Sequence, residues 1–229
     1  IAGVEIVEMG DTVYMVPGQE PSVATTLYAA HFASGGLGGI QYFTDVSLIN
    51  TSSSTRSISV SLLGNDGAPV AGPGLVNPYR TSLAPGAQLR IRGDRLFAMP
   101  DPAGSSTFYE GSLVVTASGA GIVGDITFGD AINQRFAASL PLDGTLLSDT
   151  PLAQVAEGST GGGKPYFTGI ALHNPNPGNV EILVQAYSQR GILTGSSSFT
   201  MGGGTRLART LAQLMNGFGQ IGGYVRISS

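Results

Sequence analysis

The amino-acid sequence predicts an all-β protein of two tandem β-sandwich domains, each with a short helix, preceded by an N-terminal two-strand segment. Three observations carry that prediction. Apolar residues alternate with polar ones over short stretches that end in Gly-, Asn- or Asp-rich turns, the period-2 pattern of a half-buried strand. One β-rich unit occurs twice in the chain. The composition is that of a turn-rich fold, with 35 Gly among 229 residues and only 11% charged side chains, against averages of roughly 7% and about 25%.

Taken in chain order, residues 1–17 read as strand, Gly10-Asp11 turn, strand and Pro17. Within them Val7-Glu8-Met9-Gly10-Asp11-Thr12-Val13 aligns without gaps on Ile126-Thr127-Phe128-Gly129-Asp130-Ala131-Ile132, which closes the first copy of the repeat. The clearest part of that repeat sets residues 42–67 against 166–191 at a constant offset. Tyr42-Phe43-Thr44 is identical to Tyr166-Phe167-Thr168, and Val46, Leu48 and Asn50 face Ile170, Leu172 and Asn174. Ile58, Val60 and Leu62 likewise face Ile182, Val184 and Ala186. Each copy therefore reads as strand, polar turn, strand, and the second strands end in Asn65-Asp66-Gly67 and Gln189-Arg190-Gly191, where Gly supplies the positive φ of a tight turn.

Further along, residues 83–89 resemble 201–207, and each copy then carries a helix-like piece, 94–99 and 205–215. In the second, Leu207, Leu211, Leu214 and Met215 recur at helical spacing before an Asn216-Gly217 stop. Such a stripe plugs one end of a sandwich. Residues 111–118 match 222–229, after which the first copy continues through 122–128, turns at Gly129-Asp130 and returns through 132–140 to Pro141. The second copy has no such strand pair, whereas residues 1–17 do.

A sandwich short of two strands exposes its core and its strand edges. Residues 1–17 then complete the second domain of the same chain, or that of a neighbour. The second arrangement is head-to-tail and propagates as a filament unless it closes into a ring. A third possibility is a slice of a longer tandem array. The expected donor side chains are Val4, Ile6, Val7, Met9, Val13 and Met15, and the expected acceptor edge is the strand of Tyr224, Val225 and Ile227. The domains are then a strand pair at 1–20, a first sandwich at 21–149 and a second, incomplete one at 150–229.

Charge and composition exclude several classes. With 11 basic and 15 acidic residues, a net charge of −4 and Lys164 as its one lysine, the chain has no basic stripe for nucleic acid. Cysteine is absent, which excludes disulfides, thiolate zinc sites and thiol catalysis. The longest apolar runs fall far short of the ~18 residues of a membrane span. The chain starts at Ile1 rather than Met, as expected after removal of a leader or for a piece of a longer protein. Low lysine and abundant Gly, Ser and Thr suit an extracellular or cell-surface location.

No catalytic signature stands out. Residues 158–164, Gly-Ser-Thr-Gly-Gly-Gly-Lys, approach a phosphate-binding loop, yet Pro165 replaces the Mg²⁺-binding Ser or Thr and a strand follows instead of a helix. His31 and His173 are the only histidines, and no Gly-x-Ser-x-Gly elbow is present. Asp143, Asp149 and Glu157 flank the domain junction, but their spacing is not that of an EF-hand. Asp125 with Asp130, or Glu5 with Glu8, read as strand-surface carboxylates rather than a glycosidase pair. Asn50-Thr51-Ser52 forms a glycosylation sequon. No enzyme, cofactor or metal is expected. Tyr79, Phe108 and Tyr109, placed in long loops of the first domain, form the candidate platform for a surface glycan.

The stretches 166–175, 206–215, Gly223-Tyr224-Val225-Arg226-Ile227 and Ile1-Ala2-Gly3-Val4-Glu5-Ile6 resemble Ig-like β-sandwich repeats found in tandem in large secreted bacterial surface proteins. That resemblance implies non-enzymatic domains in which the Gly-Tyr-Val-Arg-Ile strand runs straight into the Ile-Ala-Gly-Val-Glu strand. Here the two lie at opposite ends of the chain. The expected function is a structural subunit of an extracellular filament or surface layer that binds copies of itself; the alternative is an adhesin or carbohydrate-binding module.

Overall fold

The computed structural model describes residues 4–9, 12–159 and 166–229, apart from the side chains of Met9 and Thr12. It is all-β and divides into two compact units, Ile1–Thr145 and Leu146–Ser229.

The first unit opens with a hairpin of β1 (Val4–Met9) and β2 (Thr12–Pro17), paired from Val4↔Pro17 to Met9↔Thr12. There follow β3 (Thr26–Leu37), β4 (Ile40–Asn50), β5 (Arg56–Leu63), β6 (Tyr79–Leu83), β7 (Gln88–Arg92), the single helical turn α1 (Gly93–Leu96), β8 (Phe108–Ala117), β9 (Ile122–Asp130) and β10 (Ala137–Pro141). The main sheet runs β10-β9-β4-β3-β8-β5-β6, with β7 also on β4. β3 and β4 pair only where their hairpin turns, Gly35↔Tyr42 to Leu37↔Ile40, and beyond that point β7 takes over the same edge of β4. The strands thus separate into two layers, β6-β5-β8-β3 and β7-β4-β9-β10. Between them lie Leu27, Val46, Leu48, Val60, Leu62, Leu113, Val115, Ile122 and Ile126, all at most 2% exposed. The alternation along β5, where Ile58, Val60 and Leu62 are buried, sends every second residue into this core.

The second unit repeats the plan with β11 (Asp149–Leu152), β12 (Ala156–Glu157), β13 (Gly169–His173), β14 (Val180–Tyr187), β15 (Leu193–Met201), β16 (Arg206–Thr210), the turn α2 (Leu211–Leu214), β17 (Gln220–Ile221) and β18 (Tyr224–Ser228). One layer is β11-β18-β14-β15, the counterpart of β3-β8-β5-β6. The other is β13 with β16. Its core gathers Ile170, Val184, Ala186, Leu211, Val225 and Ile227.

Several sequence expectations change at this level. Residues 206–210 are strand, not helix, because they pair with β13, Leu207 opposite Leu172; only the last turn is helical. α1 likewise begins at Gly93 and spans one turn. The strand returning from β9 starts at Ala137 rather than residue 132, after a loop that Asp130 organises by accepting from the N–H groups of Ile132 and Asn133. The unit boundary falls four residues before the expected one, since Asp149 already belongs to β11 and pairs with Ser228.

The match of residues 111–118 to 222–229 is out of register by one. Leu62↔Leu113 and Val60↔Val115 in the first unit correspond to Ala186↔Val225 and Val184↔Ile227 in the second, so Gly111 answers to Gly223 and not to Gly222. Both glycines sit where a Cβ would strike a neighbouring carbonyl, Leu63 O at 2.1 Å and Tyr187 O at 2.0 Å. In a strand a slip of one residue exchanges the two faces, and the unshifted match would have driven Arg226 into the core.

Candidate assembly surfaces

The two units keep the same internal fastenings. Thr44 Oγ1 donates to Ala33 O at 2.8 Å and accepts from Ala33 N at 3.1 Å, and Thr168 Oγ1 does the same with Ala156 at 3.2 and 2.9 Å. Asn50 Nδ2 donates to Ser54 O and Leu83 O, and Asn174 Nδ2 to Gly178 O and Gly202 O. Asn50 N and Asn174 N both bond a carbonyl of the following β-turn, Ala87 O and Thr205 O at 3.0 Å each. The positive φ after each helical turn recurs at Ala98 (55°) and Asn216 (48°). The two units therefore correspond residue by residue over these elements.

That comparison isolates one difference. In the first unit β4 is paired along one edge by β3 and β7 and along the other by β9, from Tyr42↔Asp130 to Asn50↔Ile122. In the second, Tyr166 bridges to Gly158 as Tyr42 does to Gly35, and β13 pairs with β16 as β4 does with β7. Among the described residues no strand takes the place of β9 or β10.

The side chains report the same gap. Phe43 is 7% exposed, lying opposite Gly129 so closely that a Cβ there would come within 3.0 Å of its ring. Tyr42 is half-buried against the rings of Phe108 and Phe136, at 5.5 and 6.0 Å. Their counterparts Phe167 and Tyr166 are 66% and 54% exposed. Leu48 is fully buried, while Leu172 is only partly so. Two bare aromatic rings beside an unpaired strand edge form a surface whose burial contributes roughly 1.5–3 kcal/mol per side chain.

A second unusual surface is the hairpin. Pairing Val4↔Pro17, Ile6↔Met15 and Glu8↔Val13 places Val4, Ile6, Val13 and Met15 on one face, each more than half exposed. Val7, Tyr14 and Val16 share the opposite face and are half-buried. β2 runs beside β10 of its own unit. Nearby, burial and then the proximity of Glu5 push the Asp125 carboxyl above the usual range. Apolar residues on both faces are the pattern of a strand covered on both sides, which β1 is not.

The other expected site residues are placed as follows. Of the donor set, Val4, Ile6, Val13 and Met15 lie together, Val7 is on the opposite face, and the side chain of Met9 is outside the described residues, as is the Gly10-Asp11 turn. The acceptor expectation at Tyr224, Val225 and Ile227 is corrected: β18 is an interior strand with β11 on one side and β14 on the other, so it offers no free edge. Tyr224 instead stacks on Tyr187, ring centroids 4.8 Å apart. The glycan platform is corrected too. Tyr79 lies on β6, Phe108 and Tyr109 on β8, and Tyr79 and Tyr109 pack on the core. Tyr79 is level with Val60 and Val115, so six strand residues, ~20 Å, separate it from Tyr109.

His31 packs on Phe128 at 4.3 Å, and burial holds His173 below its ordinary value at the end of β13. Residues 160–165, including Lys164, lie outside the described residues; Gly158 and Tyr166 pair with each other, and β13 follows. Asp143 accepts from Thr145 N, Asp149 pairs with Arg226 at 2.5 Å, and Glu157 accepts from Thr168 N. Among the described residues no group of three or more His, Asp or Glu is placed to hold a metal ion, and no helix is long and apolar enough to cross a membrane. Sequence reasoning missed Tyr166 and Phe167 as site residues. Their identity to Tyr42 and Phe43 was the available signal, since the same aromatic pair needs the same cover.

No protein-family model and no curated protein matches the chain. Among solved structures, Thermotoga maritima protein 1070 is 17% identical, aligns over 52% of this chain and 93% of its own, and gives a TM-score of 0.38. The Anabaena sensory rhodopsin transducer is 18% identical over 46% of this chain and 95% of its own, with a TM-score of 0.32. Likenesses of this size carry no functional argument.

Proposed function

We propose that the protein is a structural subunit of an extracellular filament or surface layer, assembled head-to-tail by β-strand complementation. The observation that carries this reading is a pair of unmatched surfaces on one chain: a hairpin apolar on both faces, and a sandwich layer with two strands among the described residues where its counterpart has four. Burying both surfaces at once is what a second copy offers. The contact is heterologous, so it propagates unless it closes a ring. The resemblance of the stretches 166–175, 206–215, 223–227 and 1–6 to repeats of secreted bacterial surface proteins is what suggests an extracellular setting and a non-catalytic role.

Sedimentation velocity over a hundredfold concentration range tests the reading. The full chain forms species whose size grows with concentration, and a variant lacking residues 1–17 remains monomeric. A full chain that stays monomeric throughout, or a truncated one that assembles as well as the parent, contradicts it.

A further inference from the structure

We infer that the acceptor is the free edge of β13, flanked by Tyr166 and Phe167, and that the outer edge of β1 from a second copy pairs with it antiparallel, as β9 pairs with β4. This rests on the complementation reading and specifies where and how the two copies join.

The other strands of the second unit's two layers are accounted for by their counterparts in the first. β18 is paired on both sides. β15 and β16 are terminal in their layers just as β6 and β7 are in the first unit. β11 corresponds to β3, which is joined to the other layer only at its hairpin end. Among the described residues, β13 alone has an edge that the equivalent strand, β4, keeps fully paired.

The occupant follows from the same comparison. On β4 lie first β9 and then β10, an antiparallel pair. The hairpin is an antiparallel pair too, its β1 hydrogen-bonded on one side only among the described residues, and the segment from Val7 onward matches β9 from Ile126 onward in sequence. With β1 on the acceptor's β13, β2 takes the outer position that β10 holds in the first unit. β2 already runs beside β10 of its own chain. The hairpin therefore need not leave its unit in order to join the neighbour. The result is one layer running through the junction in the order β16-β13 of the acceptor, then β1-β2-β10-β9-β4-β7 of the donor. Edge pairing supplies main-chain hydrogen bonds, and the aromatic pair supplies the apolar cover that singles out this edge.

The test is hydrogen exchange on the full chain, read at the amides of Gly169 and Ala171, which point away from β16, in dilute and assembled samples and in a dilute sample with excess synthetic peptide of residues 1–17. Assembly and peptide each slow these amides at least tenfold. Full-length Phe167→Ala unfolds at the parent's denaturant midpoint but needs at least tenfold higher concentration to assemble. Slowing confined to 193–201 or 149–152, with the β13 amides unchanged, overturns the edge assignment while complementation stands. A chain that does not assemble defeats the complementation reading, and the peptide arm then decides the edge: no slowing at Gly169 and Ala171 overturns it.

Discussion

Thr44 and Thr168 show how one side chain fastens a layer. Each hydroxyl both donates to and accepts from a single alanine of the facing strand, satisfying both backbone groups of Ala33 or Ala156 at once. Thr44 is 1% exposed, so Thr44→Val strands both Ala33 groups away from water and costs about 1–3 kcal/mol; urea unfolding measures it, and a change below about 0.3 kcal/mol contradicts the account. Asp130 makes a pH-dependent fastening. Burial opposes its charge, but Arg135 at 2.6 Å and the N–H groups of Asn133 and Ile132 outweigh burial and hold the carboxyl below the usual range. A depressed folded pKa gives stability that is present above the unfolded value of about 3.9 and lost as pH falls through the folded one. The parent's advantage over Asp130→Asn in urea midpoint is therefore largest at pH 7 and shrinks by pH 3; an advantage independent of pH contradicts this. The identical Tyr-Phe-Thr triplets were legible as a repeat, but the role of the threonine was not, because its partners are the backbone groups of an alanine on the preceding strand, which side-chain alternation does not reveal.

At the scale of elements, the layer of β13 explains why two phenylalanines in matching positions differ. Phe43→Ala opens a covered site and costs roughly 3–5 kcal/mol, whereas Phe167→Ala changes the stability of the dispersed chain by less than about 0.5 kcal/mol. Equal costs in denaturant unfolding contradict an uncovered β13. The turn α2 is fixed by a capping box between Thr210 and Gln213, so Thr210→Ala costs about 1 kcal/mol by the same measurement. Strand alternation made β4, β5, β13 and β14 readable from the sequence. Around Leu207 the spacing fitted a helix equally well, and pairing with Leu172 decided for a strand. The one-residue slip at Gly111 and Gly223 has a similar origin, for adjacent glycines in 222–223 leave the register to the closer backbone approach, which only the folded sheet reveals.

For the whole molecule, the all-β architecture and an N-terminal hairpin were visible in the sequence. The location of the open edge was not. Strand patterning picked out the strand of Tyr224, Val225 and Ile227 but does not distinguish an interior strand from an edge strand, and β18 is flanked on both sides. The central claim is that residues 1–17 join one copy to the next. Negative-stain electron microscopy of the full chain beside a variant lacking residues 1–17 tests it most directly. The account predicts filaments or sheets from the full chain and dispersed single particles from the truncated one; assemblies that survive the truncation, or a full chain that yields only single particles, contradict it.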